Sequence, residues 1–144
     1  MSWPKGPMKY NLAIAMELPR FAPISYTIEL DTQLLQVEAM LIAVANGKSY
    51  GGGMQVCPDA SMTDGLFDVM SLHPTMGMQQ RLRARHKSIL GTHTPHPLID
   101  TSRARSIEFS SAARSEKLRI DGRRIRSWSK VQVEIVPDYW RLLV

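Results

Sequence analysis

The sequence holds one cysteine, Cys57, so no internal disulfide can form and the chain suits a reducing compartment. It has no long apolar run. The longest, near Ala39 to Ala45, is far too short to cross a bilayer, and the opening MSWPKGPMKY lacks the apolar core of a secretory leader. A cytoplasmic protein that meets lipid from the side, at a membrane surface, is therefore expected. Aromatic residues make up only 7% of the chain and scarcely interleave with its bases, which argues against stacking on nucleic acid. Several chemistries lack their signature as well. There is no Gly-x-Ser-x-Gly elbow, no Gly-Lys-Ser/Thr ending to a Walker loop, no EF-hand spacing and no strong zinc pattern.

What is present fits one globular domain, residues 1–144, long enough to bury a core, with 44% hydrophobic and 22% charged residues. Repeats, low-complexity segments and linkers are absent. The formal charge of +5 is unevenly spread. Arg103, Arg105, Arg114, Lys117, Arg119, Arg123, Arg124, Arg126 and Lys130 stand against only Glu108, Glu116 and Asp121. Such a region is either a solvated strand face or one that faces phosphates.

Periodicity predicts the elements. Pro7 to Leu18 reads as a helix closed by Pro19, and Met76 to Leu90 as a second helix with Met78, Leu82 and Ile89 inward, bases outward and Gly91 as its C-cap. Ile24 to Leu30 alternates as a half-buried strand. Leu34 to Ala45 is expected to pair with it as a second strand across Asp31-Thr32-Gln33, and Leu66 to Leu72 is another, stopped at His73-Pro74. Shorter strands follow at Ser106 to Ser110, Lys117 to Asp121, Arg124 to Trp128, Val131 to Val136 and Trp140 to Val144, with a hairpin turn at Asp121-Gly122. The expected fold is mainly β, a β-sandwich with two peripheral helices.

Four features carry possible chemistry. The run Gly51-Gly52-Gly53 permits either a tight bulge packed on the sandwich or a phosphate cradle. Asp64 and Asp68 flank Gly65, with Asp59 upstream; these carboxylates suit Mg²⁺ or Ca²⁺, or else satisfy the amides of their own turns. His93 and His96, three apart, could serve a transition metal but have no Cys or carboxylate pair to complete a site, and His86 reads as exposed. Asp121, amid Arg119, Arg123, Arg124 and Arg126, stays ionised in either of two roles. It accepts a proton from an attacking hydroxyl while the bases hold a phosphate, or it is a hairpin residue in a surface ion network.

The order Val44-Ala45-Asn46-Gly47, Tyr50-Gly51-Gly52-Gly53-Met54, Pro58-Asp59-Ala60, Asp64-Gly65-Leu66-Phe67-Asp68-Val69, Gly91-Thr92-His93, His96-Pro97, Ile120-Asp121-Gly122 and Val133-Glu134-Ile135-Val136-Pro137 resembles the C-terminal domain of the bacterial diacylglycerol kinase-like lipid kinases. The resemblance runs from about Tyr10 to the end. It implies a β-sandwich beside an α/β nucleotide-binding domain, with a lipid entering the cleft between them. It also implies phosphorylation of a lipid hydroxyl with ATP and Mg²⁺, in phospholipid metabolism. By the same resemblance Asp64 and neighbouring carbonyls hold a structural Mg²⁺, and Asp121 is the candidate base.

Two departures stand out. Arg123 occupies the place of the family's Glu after Asp-Gly, which reverses a charge at the site. No Gly-Gly-Asp-Gly-Thr segment, which contacts the nucleotide in that family, occurs in these residues. ATP is therefore expected to bind mainly to the missing N-terminal domain, which becomes a required partner, and the exposed cleft face favours a homo-oligomer. The alternatives are a non-catalytic module that binds anionic membranes or a partner, and a relative of the nicotinamide-nucleotide kinases.

Overall fold

A computed structural model describes residues 16–49, 53–111, 118–120, 123–126 and 128–137. A short 3-10 turn, Leu18–Arg20, precedes strands β1 (Ile24–Leu30), β2 (Gln33–Ala39), β3 (Leu41–Ala45) and β4 (Phe67–Leu72). Helix α1 (Met78–Leu90) follows, then β5 (Ile99–Ala104), β6 (Ser106–Ser111), β7 (Leu118–Ile120), β8 (Arg123–Ile125) and β9 (Lys130–Glu134). Every pairing is antiparallel, in sheets ordered β2-β1-β6-β9, β3-β4-β5 and β7-β8. The chain is thus mainly β and sandwich-like. The first expected helix, Pro7 to Leu18, and the strand expected at Trp140 to Val144 lie largely or wholly outside the described residues.

The first hairpin follows its sequence. ISYTIEL alternates, and its residues pair with β2 from Ile24 opposite Ala39 to Leu30 opposite Gln33. The turn residue Asp31 has φ 54°, a left-handed conformation that Asp tolerates better than most residues. Its own hydrogen bonds hold it there. The Asp31 amide donates to Ser106 O at 2.9 Å, and Asp31 Oδ1 accepts the amides of Arg105 (2.9 Å) and Ser106 (3.0 Å). One turn therefore ties β1 and β2 to the start of β6.

The single strand expected over Leu34 to Ala45 is instead two. The chain bends at buried Met40, whose amide donates to Leu72 O at 3.0 Å, and it passes from the first sheet into the second. Between those sheets lies one core, built on Ile28 and Ile107 from the first and Val69 and Ala104 from the second. The opposite face of the second sheet is covered too. Met70, Leu72 and Ile99 pack there against Met54, Val56, Cys57 and Ala60 of the 46–66 connection, together with Met40 and Met76. A strand buried on both faces reads as a near-continuous apolar run, and β4, FDVMSL, is buried at all but its first residue.

The described part of this connection from Gly53 onward is consequently a packed third layer, while Tyr50, Gly51 and Gly52, and with them most of the expected Gly51-Gly52-Gly53 bulge or cradle, lie outside the described residues. Two of its amides tie it down: Gln55 N donates to Ser88 O at 2.8 Å and Cys57 N to Lys48 O at 3.2 Å. Gly91 ends α1 at φ 68°, as expected of a C-cap. A Cβ at Gly91 would also crowd Pro58 Cβ at 3.2 Å and displace the Gln55 side chain, so the close approach of loop to helix adds to the left-handed φ in favouring glycine there. Strand β5, IDTSRA, has only its two end residues buried and escapes any apolar periodicity.

Helix α1 departs from expectation in its orientation. Met78, Leu82 and Ile89 are exposed, while Ser88 is buried and Ala84 packs on the core. Arg81 also turns inward and donates to the carbonyls of Met76 (2.8 Å), Leu18 (3.0 Å) and Phe21 (3.4 Å). The Leu18 and Phe21 carbonyls fix the helix against the 3-10 turn, and a half-buried guanidinium satisfied in this way outweighs the simple apolar stripe.

Candidate functional site

The antiparallel register of β4 and β5 sets Asp68 directly opposite Arg103. Alternation along β4 sends Val69 into the sandwich core and Asp68 to the other side, under the 46–66 layer. There Arg103 Nε donates to Asp68 Oδ1 at 3.0 Å and its terminal nitrogen to Asp59 O at 3.0 Å. The hydrogen bond to Asp68, then the Asp68 charge, holds the Arg103 pKa above its ordinary value, with smaller additions from Asp64 and Asp59. The Asp68 side chain is 12% exposed against 46% for Arg103, so the acid is the buried partner. Asp68 Oδ2 is buried with no hydrogen-bond partner among the described residues. A cavity of about 420 Å³ opens beside the pair, lined by Cys57, Asp59, Thr94 and Thr101 as well. Burial, then the Asp68 charge, pushes the Cys57 thiol up to about 11, so it stays protonated and unreactive at neutral pH.

Asp64 lies on the rim of this corner, exposed, in the turn that leads into β4. Its Oδ1 accepts the Leu66 amide at 3.0 Å, and Gly65 takes φ 71°. This is an Asx turn closed by its own backbone. The turn uses one carboxylate oxygen, Oδ1, of an exposed side chain. Hard oxygen donors of that kind fit Mg²⁺ where water completes its shell, although Arg103 already brings positive charge to the corner. Among the described residues no three His, Cys, Asp or Glu converge as a metal cage.

The histidines do structural work. His93 Nε2 donates to Val56 O at 3.0 Å, and the buried ring holds the loop layer down. Burial lowers the His93 pKa, partly offset by that hydrogen bond, so the ring is neutral at pH 7. His96 Nδ1 accepts the Leu98 amide at 3.0 Å, and His86 is exposed as expected.

Asp121 lies outside the described residues. The strands on either side of it, β7 and β8, pair with Ile120 opposite Arg123 and Arg119 opposite Arg124. All three arginines are exposed. Sequence reasoning found this basic ribbon but missed the roles of Asp68, Arg103 and His93, because their partners are 35 and 37 residues away and depend on strand pairing.

Comparison with known proteins fits this architecture. The family profile described as "YegS C-terminal NAD kinase beta sandwich-like domain" matches residues 1–144. A diacylglycerol kinase of Mycobacterium tuberculosis (strain CDC 1551 / Oshkosh) is 32% identical over 108 residues, covering 74% of this chain and 35% of the relative. A diacylglycerol kinase of Bacillus subtilis (strain 168) is 30% identical over 117 residues, covering 81% and 38%. The chain therefore spans little more than a third of the length of these curated relatives. A crystal structure titled as a diacylglycerol kinase from Bacillus anthracis str. Sterne superposes with a TM-score of 0.67 at 20% identity, over 88% of this chain and 44% of that one. A second, titled as a putative diacylglycerol kinase of the same strain, gives 0.63 at 18% identity, over 90% and 46%. At such identities the two structures establish the shared fold.

Proposed function

Because this chain belongs to the YegS C-terminal NAD kinase beta sandwich-like domain family, within the diacylglycerol kinase-like group, we propose that it is the lipid-side domain of an ATP-dependent lipid kinase. The substrate is a lipid hydroxyl such as that of diacylglycerol. What carries the reading is the family match across the whole chain, joined by relatives named diacylglycerol kinase. ATP is held mainly by a separate nucleotide-binding domain. In this reading Asp121 removes the proton from the attacking hydroxyl, and Arg119 and Arg124 hold the phosphate being transferred. Asp64 holds Mg²⁺, which adds positive charge and fixes the turn into β4.

Catalysis here is mostly positioning and charge stabilisation. The chain alone is expected to bind ATP no better than in the millimolar range, about −4 kcal/mol. The test uses labelled ATP and mixed lipids, with and without an added nucleotide-binding domain from a relative. Label should enter the lipid fraction only when that domain is present, and Asp121→Asn should cut the rate by roughly 10²–10⁴. No transfer under any condition, with both domains folded, would sink the kinase reading.

A further inference from the structure

The cavity of about 420 Å³ beside β4 and β5 is an acidic corner in a chain of formal charge +5. Asp68 and Asp59 line it, and Asp64 lies close enough to act on Arg103, so three carboxylates surround one guanidinium. Arg103 uses only part of what they offer. Its Nε meets Asp68 Oδ1, and a terminal nitrogen meets the main-chain oxygen of Asp59 rather than the carboxylate. Asp68 is 9% exposed as a residue, lines the cavity, and leaves Oδ2 without a partner among the described residues. A buried acceptor in that state is unfavourable until a donor reaches it. Thr94, Thr101 and Ser102 bring hydroxyls to the same lining, and Pro58 and Val69 bring apolar surface.

We propose that this cavity binds a primary alkylammonium group. Charge and donor count select that class. An anion would be repelled by the surrounding carboxylates. A divalent cation inside the cavity would stand against the Arg103 guanidinium, and among the described residues no three His, Cys, Asp or Glu converge to hold one. A neutral polyol would compete with water for the same hydrogen bonds, with no aromatic face in the lining to add affinity. An ammonium has three donors and no acceptor, so it suits a lining rich in carboxylate and hydroxyl oxygens. Its bonds to carboxylates are charge-assisted and stronger than neutral ones. Pro58 and Val69 offer the attached methylenes an apolar wall. Such a group arrives either on a free amine or on the lysine side chain of another polypeptide. The cavity lies on the β3-β4-β5 sheet and the ribbon is a sheet of its own, so the amine site stands or falls independently of the lipid-kinase reading.

The test titrates the chain with butylammonium chloride in magnesium-free buffer, following backbone amide NMR shifts and the melting temperature. The amides of Asp68, Thr94, Thr101, Ser102 and Arg103 should shift saturably, with half-saturation in about the millimolar range for so small a ligand. The melting temperature should rise with ligand concentration. Butanol, which carries no charge, and tetramethylammonium, which has no N–H donor, should leave the same amides unmoved. Asp59→Asn should weaken binding roughly tenfold, since it removes a charged acceptor and keeps the main-chain oxygen that holds Arg103. Asp68→Asn should weaken it at least as much, with melting curves to check that both variants fold. A capped Gly-Lys-Gly peptide separates the two sources. Saturation by peptide and amine alike assigns the cavity to a lysine of another polypeptide, and saturation by butylammonium alone assigns it to a free amine. No saturable shift at these amides, an equal response to butanol or tetramethylammonium, or unchanged binding by folded Asp59→Asn would overturn the proposal. The same shifts produced by Mg²⁺ alone would overturn it as well and give the cavity to a metal.

Discussion

Arg103 and the arginines of β7 and β8 lie on strands of one protein in opposite surroundings. Arg103 faces Asp68 across an antiparallel pair, at 3.0 Å, with Asp59 and Asp64 close enough to raise its pKa. Arg119 faces Arg124 in the same kind of register, and both are exposed. The first pairing is made within the fold and closes the joint between sheet and loop layer, with only Asp68 Oδ2 left without a hydrogen-bond partner among the described residues. In the second, like charges stand directly opposite each other, which costs a few tenths to about 1 kcal/mol unless an anion intervenes. A count of bases cannot tell these cases apart; the strand register does.

The sharpest way to break the contrast is through the layer that covers Arg103. Met76, in the core cluster beneath that layer, is 1% exposed, and Met76→Ala should cost about 2–5 kcal/mol in denaturant unfolding. A loss under about 1 kcal/mol would mean that the 46–66 layer is loosely attached rather than part of the core.

His93 probes the same layer more gently. His93→Ala leaves the Val56 carbonyl without its donor and should cost roughly 1–3 kcal/mol. Its pH dependence has a definite sign. The folded pKa lies below the ordinary 6.5, so the unfolded chain takes up the proton first as pH falls. Stability from this group is present above about pH 6.5 and is lost on acidification below it. Melting curves between pH 8 and 5 should steepen in the parent relative to His93→Gln, and parallel curves would remove the histidine from this account.

Asp64 sits between the two regions in kind. As an Asx turn alone, Asp64→Ala should cost about 1 kcal/mol whether or not metal is present. If Asp64 also holds Mg²⁺, then Mg²⁺ should raise the melting temperature of the parent and leave the variant unmoved. Equal shifts in both proteins would confine Asp64 to its turn.

How far the sequence could be read follows from the same distinction between local and paired features. The alternation of ISYTIEL, the Gly91 cap and the strand at Phe67–Leu72 are local, and each was legible. The bend at Met40 was not, because LIAVA continues the apolar run of β2 without a turn residue, and only a change of sheet distinguishes them. Strand β5 was hidden by its polar middle, Asp100-Thr101-Ser102-Arg103, which an edge strand tolerates. The orientation of α1 was missed because a leucine pattern normally outweighs one arginine, yet Arg81 found three carbonyls. At the candidate site Asp64 could be read as a turn or a ligand, and its structure supplies the turn. Asp68 with Arg103 could not be read at all, since only the β4–β5 register joins them.

The smallest expected effect on folding belongs to the ribbon, and it has the clearest sign. Replacing Arg119 and Arg124 together by serine removes a like-charge cross-strand pair from an exposed two-stranded sheet. Their side chains have no ion pair among the described residues to lose. Stability in low salt should therefore stay within about 0.5 kcal/mol of the parent, on the favourable side. The anion dependence should change more than the stability itself. Inorganic phosphate that binds between the arginines raises the parent's melting temperature by mass action, and the double variant should lose that response. Arg103 supplies the internal control, because the negative charges of Asp68, Asp64 and Asp59 already surround its guanidinium and oppose the approach of a soluble anion. A marked destabilisation of the double variant, with phosphate response intact, would show that the ribbon's arginines are paired within the fold after all, and the contrast with Arg103 would fall.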